Sequence, residues 1–106
     1  VKVLVDDLRN PDIYGADIVF RSAKAFFNKL PKNINTLFLD HDLGLGKTGY
    51  DVIVRLVEKM HIYPDNITIV SNNPVGVMSI GLCLKANGYR QTSNRTFIYD
   101  PSLKRR

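Results

Sequence analysis

Cysteine and glutamate are nearly absent from this 106-residue chain. Each occurs once, as Cys83 and Glu58. A lone thiol excludes a disulfide framework. Cys83 stands inside the apolar run VGVMSIGLCLKANG with no basic neighbour, which marks it as a core residue of a reducing compartment and not a nucleophile. No apolar run approaches the ~18 residues of a membrane span. The first residues, VKVLVDD, lack the apolar stretch of a signal peptide. There is also no internal repeat, low-complexity segment or linker. The expectation is one soluble, cytoplasmic domain over residues 1–106, with no membrane partner and a basic C-terminal tail.

What is present is lopsided. Apolar residues make up 44%, enough for a modest core. The net charge of +5 lies wholly in residues 85–106, where Lys85, Arg90, Arg95, Lys104, Arg105 and Arg106 face a single acid, Asp100. Such an edge attracts phosphates or nucleic acid, or only solubilises the tail Lys104-Arg105-Arg106. Nine of the ten acids are aspartate. Short carboxylates gather at turns, caps and metal sites, whereas glutamate favours helix surfaces.

The hydrophobic pattern predicts strands at VKVLV (1–5), DIVFR (17–21), NTLFLD (35–40), NITIV (66–70) and TFIY (96–99). Between them, Ser22 caps SAKAFFNKL, which Pro31 stops, and Thr48-x-x-Asp51 is a capping box opening GYDVIVRLVEKM. On that helix Tyr50, Ile53, Val54 and Val57 form the apolar face. Asn73 and Pro74 start the helix 74–86, and Gly88 suits the left-handed position past its end. Strands that are continuous apolar runs, alternating with helices, predict an α/β, three-layer flavodoxin-like fold. Its five-stranded, mainly parallel sheet would have the order 2-1-3-4-5. About 11 residues separate the first two strands, close to the minimum for a parallel crossover. The first helix is therefore reduced or missing.

In such sheets ligands bind beyond the carboxyl ends of the strands. The residues expected there are Asp6-Asp7, Asp40-His41-Asp42, Ser71-Asn72-Asn73 and Tyr99-Asp100. Three carboxylates from two strands repel one another unless a cation lies between them. Asp6, Asp7 and Asp40 therefore form a candidate site for Mg²⁺, Mn²⁺ or Ca²⁺, against capping and turn roles. His41 would widen the choice to Fe²⁺ or Zn²⁺, yet strand alternation turns it away from Asp40 unless the chain turns immediately, and a histidine bonded to the neighbouring loop is an equal reading. His61 reads as a residue favoured at a helix C-terminus. The turn GLGKTG is not a phosphate loop, because the glycine that pattern needs is replaced by His41. SNNPVG is a better cradle: Ser71, Asn72 and Asn73 offer donors at a helix N-terminus, although Asn73 alone suits a cap. Arg9 either grips a phosphate in a bidentate contact or pairs with Asp12.

The acidic pair Asp6-Asp7, Asp40 and Ser71 resemble the receiver domains of two-component response regulators. That resemblance implies that Asp40 accepts a phosphoryl group, that the acidic pair and the backbone of Asp42 hold Mg²⁺, and that the Ser71 hydroxyl touches the phosphoryl. At the last strand receivers carry Lys-Pro, where this chain has Tyr99-Asp100-Pro101. A closer resemblance covers roughly residues 1–89. DDLRNP, LDHDLG, TGYDVI and SNNPVG, in that order, resemble the cyclic-phosphate-processing receiver domains of bacteria and their phages. Members of that family usually have histidine where this chain has Val70.

Two functions of comparable weight follow. The first is a metal-dependent phosphoesterase acting on a phosphate ester, such as a cyclic phosphate or nucleotide. Asp40, His41 and Ser71 would be catalytic, Arg9, Ser71, Asn72 and Asn73 would bind phosphate, and Asp6, Asp7 and Asp40 would hold a divalent cation, Mg or Mn. The second is an inactive binding or regulatory module that engages a phosphorylated ligand or a host or partner protein; Val70 favours it. A phosphoryl-accepting receiver ranks third. Nucleic-acid binding ranks low, because no aromatic platform accompanies the basic residues.

Overall fold

The computed structural model describes residues 1–44 and 46–104, with the backbone alone for Lys104; Arg105 and Arg106 of the expected basic tail lie outside the described residues. All five expected strands form. They are β1 (Lys2–Val5), β2 (Ile18–Phe20), β3 (Thr36–Leu39), β4 (Asn66–Ile69) and, last in the chain, β6 (Thr96–Tyr99). A short strand absent from the sequence reading, β5 (Tyr89–Gln91), precedes β6. The sheet therefore has six strands in the order β2-β1-β3-β4-β6-β5. β1 pairs in parallel with β2 and β3, and β3 with β4. β6, in contrast, is antiparallel to both β4 and β5.

This corrects the expected five-stranded order, and the reason is geometric. The helix after β4 returns the chain parallel to β4, but one strand position too far out. A tight reversal then fills the gap: the Thr92 N–H donates to the Thr96 carbonyl at 2.9 Å, and β6 runs back between β4 and β5. Tyr-Arg-Gln is too short and polar to announce itself as a strand.

Three helices cover the sheet: α1 (Ala23–Asn28), α2 (Gly49–Ile53, running on as a π-helical stretch over Val54–Lys59) and α3 (Pro74–Ala86). The predicted caps are present. Ser22 Oγ accepts from Ala25 N, Thr48 and Asp51 form the reciprocal capping box, and Asn73 Oδ1 accepts from Val75 N and Gly76 N. Gly88 takes φ 89° just past α3, as a left-handed terminus requires. His61 also sits in the left-handed region, at φ 57°, ending the π-helical stretch.

Among the described residues, no α-helix forms the expected third layer. One core cluster joins Val3, Val5, Leu37, Leu39, Ile67, Ile69 and Phe97 of the sheet to Phe26, Leu56 and Ile80 of the three helices. Alternation along the strands places those sheet residues on a single face. Right-handed crossovers explain it, because β2 to β3, β3 to β4 and β4 to β5 all step in one direction across the sheet. The crossover that runs the other way is β1 to β2, and there the helix is reduced to one 3₁₀ turn, Pro11–Tyr14. On that second face Tyr14 packs on Phe38, with ring centroids 5.2 Å apart. The apolar face of α2 also differs from expectation. Val52, Ile53, Leu56 and Val57 are buried while Tyr50 is exposed; with Gly49 they keep the i, i+3, i+4, i+7, i+8 spacing, so the buried face is offset by one residue from the expected one. Among the described residues, no helix is long and apolar enough to cross a membrane.

Candidate functional site

The parallel ladder continues past the strand ends and aims the acidic residues. Asp6 N donates to Phe20 O at 3.1 Å, Asp40 N to Val5 O at 3.0 Å, and Val70 N to Leu39 O at 2.9 Å. Asp6 and Asp40 thereby stand side by side above adjacent strands, both buried, with Asp7 beside them and Ser71 across an open cleft of about 410 Å³. One oxygen from each of Asp6, Asp7 and Asp40 lies within 4.8 Å of the others. Asp42 also lines the cleft, and its backbone bridges to Thr48.

The two buried carboxylates are held differently. Asp6 Oδ1 accepts from Leu8 N at 2.9 Å and Arg9 N at 3.0 Å, and Oδ2 accepts from Arg9 Nη1 at 2.9 Å. Burial opposes its ionisation, but these donors outweigh burial and hold the carboxyl below its ordinary range. Asp40 receives one hydrogen bond, from His41 N at 2.8 Å, and a looser contact of 3.4 Å from Arg9 Nη1. Burial, joined by repulsion from Asp6, pushes Asp40 above its ordinary range. Arg9 spans both aspartates, so it pairs with the acidic cluster and not with Asp12. Arg21 Nη1 in turn donates to Arg9 O at 2.6 Å and fixes the loop.

On the opposite wall Ser71 is buried, and its Oγ accepts from Asn73 N at 3.0 Å. Asn73 spends its side-chain oxygen on Val75 N (3.1 Å) and Gly76 N (3.2 Å). The first turn of α3 is thus satisfied from within, since Pro74 has no N–H to offer. Among the described residues, Asn72 makes no hydrogen bond of its own and faces the cleft.

His41 is not brought to this cleft. Its ring enters a groove between α2 and α3, with Thr48, Ser79, Leu82 and Cys83, where Nδ1 is buried without a partner among the described residues. The ring rests on Gly76, where an added Cβ would lie 2.7 Å from Nδ1 and nearer still to other ring atoms. Cys83 is a buried thiol; burial first, then Glu58 beside it, push it up to about 11, which leaves it protonated and inert. Tyr99-Asp100 also lie away from the cleft, because β6 runs backwards. Tyr99 N donates to Asp65 O and Asp100 N to Gly88 O at the other end of the sheet. The same reversal delivers a residue that the sequence reading did not single out: Arg95, whose Nη1 donates to the Ser71 carbonyl. Only knowledge of the hairpin would have placed it there.

The order of these groups around one cleft follows DDLRNP, LDHDLG and SNNPVG along the chain. The family model of the cyclic-phosphate processing receiver domain matches residues 1–86. The chain belongs to that family. Searches of curated proteins and of solved structures found no match. Within this receiver domain the match ends at the last turn of α3, so the β5–β6 hairpin and Arg95 lie beyond it.

Proposed function

We propose that the acidic cleft processes a phosphate ester, of the cyclic-phosphate class named in the family's description, with a divalent cation held by Asp6, Asp7 and Asp40. The observation that carries this is the approach of one oxygen from each of three carboxylates to within 4.8 Å, two of them, Asp7 and Asp40, lining a cleft that Ser71 and Asn72 also line. The donor set is all oxygen, without imidazole or thiolate, which suits Mg²⁺ or Mn²⁺. When bound, the cation would polarise phosphoryl oxygens and offset charge on the phosphate. The chain's own groups divide the remaining work. Asp40, the less satisfied carboxylate, would take a proton from an attacking water. The Ser71 hydroxyl and Asn72 amide would orient the ester, and the Arg9 guanidinium, which lines the cleft beside Asp40, would meet its negative charge.

A second reading, a module that binds such an ester without turning it over, is favoured by one observation. The imidazole of His41 points into the α2–α3 groove, and the position before Ser71 is Val70, so no histidine serves the cleft as acid or base. Hydrolysis of 2′,3′-cyclic nucleotides with Mg²⁺ or Mn²⁺, followed beside calorimetric binding, separates the two. Turnover lost in Asp40→Asn supports processing, and binding without product supports the module. Neither binding nor turnover would remove both.

A further inference from the structure

Helix α3 is apolar on both of its sides. Ile80, Cys83 and Leu84 face the core, while Val75, Met78 and Leu82 face outward with 74%, 68% and 59% of their surface exposed. These three recur at i, i+3 and i+7, so they form one stripe along the helix. Solvent-facing helix surfaces are ordinarily polar, and a contiguous exposed apolar stripe marks a surface that another molecule covers. Alongside the stripe a groove of about 370 Å³ runs between α3 and the β5–β6 hairpin. Gly81 opens its floor, where an added Cβ would come within 3.1 Å of the Phe97 ring. Met78 and Leu82 form a wall, and the charged residues of the lining are Lys85 and Arg95, with no carboxylate among them.

We propose that this groove docks an amphipathic segment of a partner protein, one that sets apolar side chains on Met78 and Leu82 and carboxylates on Lys85 and Arg95. Charge complementarity chooses this occupant, because both charged side chains that line the groove, Lys85 and Arg95, are cationic. A second copy of the chain is a poorer fit. A two-fold contact would lay this patch on itself and bring cations together with no acid to meet them. A bilayer is poorer too, since a flat surface leaves the floor between Gly81 and Phe97 unfilled. No described residue that lines this groove lines the acidic cleft; Arg95 of the groove reaches only the Ser71 backbone carbonyl.

The test is selection of a random-peptide library on the immobilised protein, followed by anisotropy of the selected peptides bearing a fluorescent label. Selected sequences should combine apolar and acidic residues, weaken as salt rises, and lose about tenfold or more in affinity to Leu82→Glu and to Lys85→Glu. Both positions are solvent-facing, so circular dichroism of the variants should match the parent, and Mn²⁺ binding at the acidic cleft should be unchanged. No enrichment, enrichment of basic sequences, or binding indifferent to both substitutions would overturn the proposal. So would a Leu82-dependent dimer in light scattering, or Leu82-dependent binding to vesicles of phosphatidylserine and phosphatidylcholine in place of peptide binding.

Discussion

Asp6 and Asp40 are neighbours above adjacent strands, yet their environments push them in opposite directions. Asp6, depressed by its three donors, adds stability at pH values above the ordinary carboxylate range, and that stability is lost as pH falls through its lowered value. Asp40 has the reverse sign. Burial and repulsion from Asp6 favour its protonated form, so its contribution is present below the ordinary range and is lost as pH rises through its raised value. Two substitutions should therefore differ in sign in urea denaturation at neutral pH with a chelator present. Asp40→Asn should stabilise by on the order of 1 kcal/mol. Asp6→Ala, which strips the acceptor from Leu8 N and Arg9 N, should cost about 2–3 kcal/mol. Equal effects of the two would contradict this division.

At the scale of the element, the first turn of α3 ties helix, histidine and cleft together. Asn73→Ala removes an acceptor from two backbone N–H groups and should cost about 1 kcal/mol in chemical denaturation. Gly76→Ala improves helix propensity but drives a methyl into the His41 ring. It should destabilise by about 1–3 kcal/mol, and Gly76→Ala in a His41→Ala background should recover most of that loss. These elements were legible in the sequence where a residue type has one physical use, as with Ser22, the Thr48–Asp51 box, Asn73-Pro74 and Gly88. They were not legible where tertiary packing decides. On α2 the 3.6-residue period fits both a face through Tyr50, Ile53, Val54 and Val57 and the face that packing buries, Gly49, Val52, Ile53, Leu56 and Val57, so spacing alone does not choose between them. Tyr89–Gln91 became a strand only because a hairpin partner lies beside it.

Across the whole molecule, the parallel half of the sheet was readable and the antiparallel half was not. Each apolar run ending in aspartate or serine marked a strand whose carboxyl end faces one cleft, so Asp6, Asp7, Asp40 and Ser71 were found before any geometry. The His41 side chain obeyed strand alternation and left the cleft. Tyr99-Asp100 were lost to it because strand direction at β6 depends on a crossover landing one position out, which instead brings Arg95 to the Ser71 carbonyl. A ligand that binds only the folded chain raises its apparent stability. Mn²⁺ at about a hundredfold excess over its dissociation constant should therefore add roughly 2.7 kcal/mol, and none in Asp40→Asn. The central claim is that Asp6, Asp7 and Asp40 share a divalent cation. The most direct measurement is an anomalous difference map from a crystal grown with Mn²⁺. A peak within coordinating distance of all three carboxylates, with the Arg9 guanidinium moved off Asp40, is the predicted result. A map empty at that position, with Arg9 still spanning Asp6 and Asp40 at saturating Mn²⁺, would contradict it.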